Sequence, residues 1–240
     1  MKILIVSWYF PPCNTMGALR IGKLAKFLLA RGHDVRVVCA RDQPHAMTLP
    51  VEVPQEIVFD SRWGDVNVVP VRVQSLRVWL KKLLSRGGAA GSSSQAPSAE
   101  KPTSAADGSA APPGLLRRCL AFYQHATNIP DGMIGWLPHA LKAGRRATAG
   151  WRPDVVFASA PPFTSLLAGR AIARRTGAPL IVEYRDRWIE DPYGHTPSWR
   201  RWMDERLENW CIRPARGVVT VSDPWKDDYS ARWGKPVVVA

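Results

Sequence analysis

The first forty residues constrain the fold most, because two apolar runs flank a loop and a helical pattern. Residues 2–7 form a continuous apolar run, which is typical of a parallel strand buried on both faces of a sheet. Apolar residues recur at helical spacing over 17–30, Gly32 ends that helix, and a second apolar run follows over 34–40. This β-loop-α-β unit predicts a parallel sheet with right-handed crossover connections.

The same alternation returns in the second half of the chain. Asp223 is predicted to cap a helix that has Pro224 at its first position. The helices are predicted over 136–149, 163–176, 198–212 and 223–232. The strands are predicted over 154–159, 179–184, 217–222 and 236–240. We therefore expect an α/β fold with a Rossmann-like parallel sheet flanked by helices. A buried apolar strand at the very end of the chain indicates that the chain is cut before its continuation or that the gene product is short.

The middle of the chain is less regular. Strands are predicted over 56–60 and 66–73, and helices over 76–86 and 115–127. Residues 87–114 contain Ala, Ser, Gly, Pro and a few charges, but no large apolar side chain. Such a segment cannot bury enough surface to offset its ordering entropy, so it is predicted to be a disordered insertion at the surface.

Composition argues against a disulfide framework, a zinc site and a transmembrane helix. The four cysteines, at positions 13, 39, 119 and 211, form no CxxC pair and no metal-ligand spacing, which favours reduced thiols in the cytoplasm. No stretch reaches the about 18 apolar residues that a spanning helix needs. The net charge of +13 favours an anionic partner: nucleic acid, a phosphate-bearing small molecule or a membrane surface.

The loop between the first strand and the first helix is the first candidate site. It contains Met16, Gly17 and Arg20 and lies at the carboxyl end of a strand, where open α/β sheets bind their ligands. Gly17 opens a helix whose N-terminal N–H groups can bind an anion, and a glycine lets the ligand approach the backbone closely. Neither the GxGxxG nor the Walker A spacing is present. The alternative is a plain loop with a glycine at a tight turn.

Four motifs in order resemble a known family. The N-terminal K-I-L-I-V-S-x-Y-F-P-P, the M-G-A-L-R that follows and L-x-x-R-G-H-D-V-x-V-V form the first. The others are S-A-P-P at 159–162, E-Y-R-D-R-W at 183–188 and V-T-V-S at 219–222. Together they resemble the N-terminal domain of family 4 glycosyltransferases of the GT-B fold, and the third resembles an element of the subfamily that builds surface polysaccharides.

The resemblance implies a two-domain enzyme of which this chain supplies one half. Residues 1–240 are expected to form a single Rossmann-like, acceptor-binding domain, and the domain that binds the nucleotide-sugar donor is expected to be absent from them. The expected activity is transfer of a sugar, with retention, from a nucleotide-sugar to a glycan or lipid-linked acceptor, with the donor as substrate and no cofactor. The alternative is a non-catalytic module that needs a separate chain carrying the donor domain.

The resemblance also assigns roles to residues. It places Gly17 near the donor phosphates, and we expect Asp186 to orient or deprotonate an acceptor hydroxyl while Arg185 holds an anionic group. The alternative for that pair is a structural ion pair that fixes the loop. Many members of the family carry His where this chain has Ser159. Ser159 cannot act as a base, so a mechanism that uses His at this position does not apply to this chain. The remaining expected substrate contacts are Met16, Arg20, Ser159, Pro162 and Asp131, the last of which is equally a turn residue before Gly132.

The helix predicted over 76–86 has a Trp/Leu face and a cationic face. That pattern is typical of a helix on an anionic bilayer and predicts membrane contact through Arg77, Trp79, Lys81 and Lys82, at the cytoplasmic face of the plasma membrane. The alternative is a surface helix packed on the sheet. Nucleic acid is the less favoured partner, because the basic pairs lie on different helices. Other tryptophans are assigned to core or interface: 188, 199, 202, 210, 225 and 233.

Overall fold

A sheet of seven parallel strands organises the described part of the chain. The computed structural model describes residues 1–13, 15–40, 53–61, 128–189 and 196–240. The strands are β1 (Lys2–Ser7), β2 (Asp34–Ala40), β3 (Val58–Ser61), β4 (Val155–Ala160), β5 (Leu180–Tyr184), β6 (Ala215–Thr220) and β7 (Val237–Val239). Their order across the sheet is β3-β2-β1-β4-β5-β6-β7, so the strand order reverses direction at β1.

In the ranges that the structure describes, five α-helices connect the strands and pack on the sheet. They are α1 (Met16–Ala30), α2 (Leu137–Ala147), α3 (Thr164–Thr176), α4 (Ser198–Ile212) and α5 (Asp223–Trp233), with short 3-10 helices at Gln55–Ile57 and Ile134–Trp136. The side chain of Thr15 caps α1 by accepting a hydrogen bond from the backbone N–H of Ala18 at 3.2 Å. Gly177 ends α3 in the left-handed conformation, with φ of 74°, which a glycine adopts without steric cost.

Each face of the sheet carries its own apolar core. On one face Leu4 and Val6 of β1 pack with residues of α2 and α3, and all of these core side chains are buried. On the other face Ile3 and Ile5 pack against Ile21 of α1. Because successive side chains of a strand point to opposite faces, the continuous apolar run of β1 fills both cores.

The strand register brings polar side chains together at one edge. Ser7 at the end of β1 is level with Ser159 of β4, and Ser159 is level with Glu183 of β5. All three are buried although they are polar. The carboxyl edge of the sheet therefore holds a row of buried oxygen atoms next to the N-terminus of α1.

The structure confirms the predicted α/β fold with a parallel sheet, and it corrects some boundaries. Helix α5 already begins at Asp223 and Ser222 is its N-cap, so the prediction that Asp223 is the cap was wrong by one residue. The strand predicted over 217–222 lies two residues earlier, because Ala215 already pairs with Leu180. The elements predicted over 66–73, 76–86 and 115–127, and the insertion at 87–114, lie outside the described residues.

Candidate functional site

The candidate site lies at the carboxyl edge of the sheet, where β1, β4 and β5 end. Helix α1 starts beside it, and Met16 at its first position is 80% exposed. The first turn of a helix leaves backbone N–H groups without partners inside the helix, so this end of α1 favours negative charge. A ligand at the strand ends of β1 and β4 would lie in front of it.

Gly17 and Arg185 are in direct contact across this edge. A β-carbon on Gly17 would lie 2.8 Å from Cζ of Arg185, which is too close for two carbon atoms. The guanidinium therefore lies against the bare backbone of the first turn of α1. Its Nη2 group donates a hydrogen bond to the carbonyl of Pro161, and the Arg185 backbone N–H donates to the carbonyl of Ala160 at 3.0 Å.

The Arg185 guanidinium is positively charged, and one of its nitrogen atoms lacks a hydrogen-bond partner among the described residues. Its buried Nε atom has no hydrogen-bond partner in the described part of the chain. Burial lowers the pKa of the Arg185 guanidinium from its usual value, and the carboxylates of Glu183 and Asp186 partly offset this effect. A cation at a helix N-terminus is itself electrostatically unfavourable. An anion bound beside the Arg185 guanidinium, at the N-terminus of α1, would offset both costs.

Glu183 organises the neighbouring side chains. The carboxylate is 2% exposed, and both of its oxygens accept hydrogen bonds. Ser159 Oγ donates to Oε2 at 2.5 Å and Arg20 Nε donates to Oε1 at 2.7 Å. Arg20 also donates through Nη2 to the carbonyl of Ala240 at 2.8 Å. Glu183 therefore links α1, β4 and the end of the described chain in one network.

Asp186 follows Arg185 in the loop after β5 and is exposed. Its charge contributes to the environment of the Arg185 guanidinium, so the two groups lie near each other at the carboxyl edge. An exposed carboxylate in this position can accept a hydrogen bond from a hydroxyl group of a ligand.

Asp131 lies at a different helix terminus and already has its partners. Its Oδ1 accepts hydrogen bonds from the backbone N–H of Met133 and from Thr164 Oγ1, both at 2.8 Å. Its Oδ2 accepts from the backbone N–H of Thr164 at 2.9 Å. The carboxylate thus fixes a turn to the first residue of α3. Pro162 is buried just before the same helix.

The structure brings four of the residues predicted from the sequence into one connected set. Gly17 contacts Arg185, and Arg20 and Ser159 both donate to Glu183. The charge of Glu183 acts on the Arg185 guanidinium. Sequence reasoning missed Glu183, although it stands in the quoted E-Y-R-D-R-W motif. The available signal was an acidic residue inside an otherwise apolar strand, which is rarely buried without a partner. The predicted membrane contacts Arg77, Trp79, Lys81 and Lys82 lie outside the described residues.

Within the ranges that the structure describes, no group of three or more His, Cys, Asp or Glu side chains is arranged to hold a metal ion. Nor does any described helix have the length and apolar character needed to cross a bilayer.

The fold and this edge define a Rossmann-like sheet of the kind that binds ligands at its strand ends. The sequence profile of the glycosyl transferase 4-like domain matches residues 17–240, and the chain belongs to that family. The predicted resemblance to the N-terminal domain of family 4 glycosyltransferases is confirmed. No curated protein sequence matches the chain.

Two solved structures match the chain at low sequence identity. CalG4, the calicheamicin glycosyltransferase, matches with a TM-score of 0.43 and 12% identity, over 91% of this chain and 47% of its own. UGT73P12 of Glycyrrhiza uralensis, solved in complex with glycyrrhetinic acid 3-O-monoglucuronide, matches with a TM-score of 0.42 and 14% identity, over 100% of this chain and 48% of its own. The chain thus spans about half the length of these two enzymes.

Proposed function

We propose that this chain is the acceptor-binding half of a retaining glycosyltransferase that uses a nucleotide-sugar donor. The observation that carries the proposal is the contact of Arg185 with Gly17 at the N-terminus of α1. A guanidinium whose Nε has no partner in the described part of the chain lies at the N-terminus of α1, the end at which a helix presents backbone N–H groups. Two negative groups close together, as in a diphosphate, match that arrangement. The acceptor is a glycan or a lipid-linked sugar of polysaccharide biosynthesis.

In the proposed reaction the bond between the anomeric carbon and the diphosphate oxygen breaks, and the acceptor oxygen forms a new bond to the same carbon. The acceptor proton passes to the departing diphosphate oxygen, so that charge and atoms balance. The N-terminus of α1 and Arg185 stabilise the negative charge that develops on the leaving group. Asp186 orients the acceptor hydroxyl, because it is the exposed carboxylate next to Arg185. Retention and the identity of both substrates belong to this proposal.

The test is turnover of a panel of nucleotide-sugars by the 240-residue protein. It is measured alone and together with a donor domain, if one is encoded in frame downstream or by an adjacent gene. We expect turnover of at least one donor when both halves are present. Turnover by the 240-residue protein alone would exclude the alternative of a non-catalytic module. Undetectable turnover of every donor with both halves present would contradict the proposal.

The amphipathic segment 76–86 supports an anionic membrane surface as a further partner, at the cytoplasmic face of the membrane. This part of the proposal rests on the sequence pattern, in which Trp79 lies on the apolar face and Lys81 on the cationic face. Co-sedimentation with anionic vesicles should therefore be weakened by the double substitution Trp79→Ala and Lys81→Glu. Unchanged co-sedimentation of that variant would contradict a role for this segment.

A further inference from the structure

Helix α4 buries charged residues beside the apolar Cys211 and Ile212 on the side that faces the protein. The side of α4 that faces the protein buries an ion pair, in which Arg200 Nε lies 2.6 Å from Asp204 Oδ2, with both side chains about nine-tenths buried. It also buries Glu208, whose side chain is 1% exposed and lies 2.8 Å from Arg232 Nη2. A surface helix normally places apolar residues on this side and charges on the other.

The outer side of α4 also carries large apolar residues. Trp202 is 55% exposed, Trp210 is 46% exposed and Met203 is 37% exposed. The two tryptophans are eight residues apart, which in a helix corresponds to about 12 Å along the axis and about 80° around it. Isolated exposed apolar residues are common, but a group on one helix face marks a contact surface. We call Trp202, Met203, Arg206 and Trp210 the α4 aromatic face.

Each exposed tryptophan carries an arginine on its ring. The guanidinium of Arg206 lies 4.2 Å from the ring centroid of Trp202, and that of Arg170 lies 3.5 Å from the ring centroid of Trp210. Such stacking keeps the positive charges beside the rings. The nearby acid Glu205 is neutralised, because Arg201 Nε lies 3.3 Å from its Oε1 atom. The α4 aromatic face is therefore both apolar and cationic.

A shallow cavity continues this surface toward the amino edge of the sheet. It has a volume of about 270 Å³ and is lined by Arg170 and Arg174 over a floor that includes Leu180 and Pro214. Two guanidinium groups above an apolar floor match a phosphate group attached to an apolar chain. The cavity shares Arg170 with the Trp210 contact, so the two features form one continuous surface.

We propose that the α4 aromatic face and the adjoining cavity bind an anionic lipid bilayer. The tryptophan rings lie at the level of the headgroups, the arginines contact lipid phosphates, and Arg170 and Arg174 hold one headgroup in the cavity. A bilayer fits better than a second copy of this chain, because two such cationic surfaces repel each other. It fits better than nucleic acid, because Met203 and the apolar floor offer no polar contacts. The proposal does not depend on glycosyl transfer or on the segment 76–86.

The test is flotation of the 240-residue protein with vesicles of phosphatidylcholine alone or mixed with phosphatidylglycerol. We expect binding to the mixed vesicles, and the double substitution Trp202→Ala and Trp210→Ala should weaken it about tenfold or more. Phe27→Ala is the matched control. Phe27 is 52% exposed and carries Arg31 at 3.6 Å from its ring, so the control removes the same kind of pair from α1. Binding of the control should equal that of the wild type.

Charge is tested by a second matched pair, Arg206→Glu and Arg31→Glu, which change the net charge equally. Only Arg206→Glu should weaken binding to the mixed vesicles if the α4 aromatic face is the contact. Equal losses for both would overturn the proposal, because they would show non-specific attraction to a basic protein. Three further outcomes would also overturn it. The first is full vesicle binding by the double tryptophan variant. The second is a wild-type dimer that this variant converts to a monomer. The third is a variant that loses binding to single-stranded RNA but keeps its binding to vesicles.

Discussion

The guanidinium of Arg185 occupies the space that a side chain at position 17 would need, since a β-carbon on Gly17 would lie 2.8 Å from Cζ of Arg185. The glycine is therefore required by a neighbouring side chain and not only by a ligand. It lets a charged group from the end of β5 reach the N-terminus of α1. That contact defines where an anion binds in the proposed function.

Replacing Gly17 by Ala should separate stability from function. The guanidinium is the end of a flexible side chain and can move, and Ala is the better helix former by about 1 kcal/mol. The free energy of unfolding should therefore change by no more than about 1 kcal/mol. Donor turnover should fall about tenfold or more, because the displaced Arg185 no longer lies at the helix terminus. Chemical denaturation and the turnover assay measure the two quantities.

Gly132→Ala is the control for this substitution, because a β-carbon on Gly132 would meet no atom within 4 Å. It should leave both the free energy of unfolding and turnover unchanged. Wild-type turnover in the Gly17→Ala variant would show that the contact between Arg185 and Gly17 has no functional role.

Replacing Glu183 by Gln should destabilise the protein. The amide would put a donor group where the carboxylate accepts from Ser159 or Arg20, and the site is almost closed to water. An unsatisfied buried donor costs about 1–3 kcal/mol, so the free energy of unfolding should fall by that amount. The control Glu205→Gln breaks an exposed pair with Arg201 and should cost less than about 0.5 kcal/mol. Equal effects of the two substitutions would refute the structural role of Glu183.

Glu208 should make stability depend on pH. Burial raises the pKa of its carboxyl from 4.5 to about 7, although Arg232 opposes the shift. Between these pH values the folded protein keeps a proton that the unfolded chain has lost, so stability falls as pH rises through this window. The fall is at most about 3 kcal/mol, since each pKa unit corresponds to about 1.36 kcal/mol.

Denaturation curves between pH 4.5 and pH 8 measure this dependence. The Glu208→Gln variant should lack the fall, because its side chain does not titrate. The exposed Glu205→Gln variant should retain it. If Glu208→Gln follows the same pH profile as the wild type, another group is responsible for the dependence.

Replacing Asp186 by Asn should lower turnover and leave the free energy of unfolding almost unchanged. Its carboxylate is exposed, so Asp186→Asn should change the free energy of unfolding by less than about 0.5 kcal/mol. If the carboxylate orients the acceptor hydroxyl, turnover in the presence of both halves of the enzyme should fall about tenfold or more. Asp227→Asn, another exposed carboxylate, is the control and should keep full turnover. Full turnover by Asp186→Asn would remove Asp186 from the mechanism.

The sequence predicted the sheet well because parallel strands buried on both faces leave a strong signal. The run that became β1 is apolar at every inner position, and its bounds were predicted correctly. Boundaries were weaker at β6, where Ala215 precedes the apolar run yet still pairs with Leu180 of β5, and the register shifts after it. Pairing is decided by the neighbouring strand, and a single segment does not contain that information.

The site was predicted as a set of loop residues, but the connections among them were not. Gly17 and Arg185 are 168 positions apart, and only the strand order brings them into contact. For Trp202 and Trp210 the sequence left core and interface as alternatives, and only the structure shows that both are exposed. Local pattern predicts elements; long-range contacts decide which side chains share a site.

The most direct test of the central claim is calorimetric titration of the 240-residue protein with inorganic pyrophosphate and with nucleoside diphosphates. We expect binding that Arg185→Ala weakens about tenfold or more, because a charged hydrogen-bond partner of the anion is lost. Arg31→Ala removes an arginine at the other end of α1 and should leave the affinity unchanged. Absence of binding by the wild type, or equal affinity of the wild type and Arg185→Ala, would contradict the proposed anion site at Gly17 and Arg185.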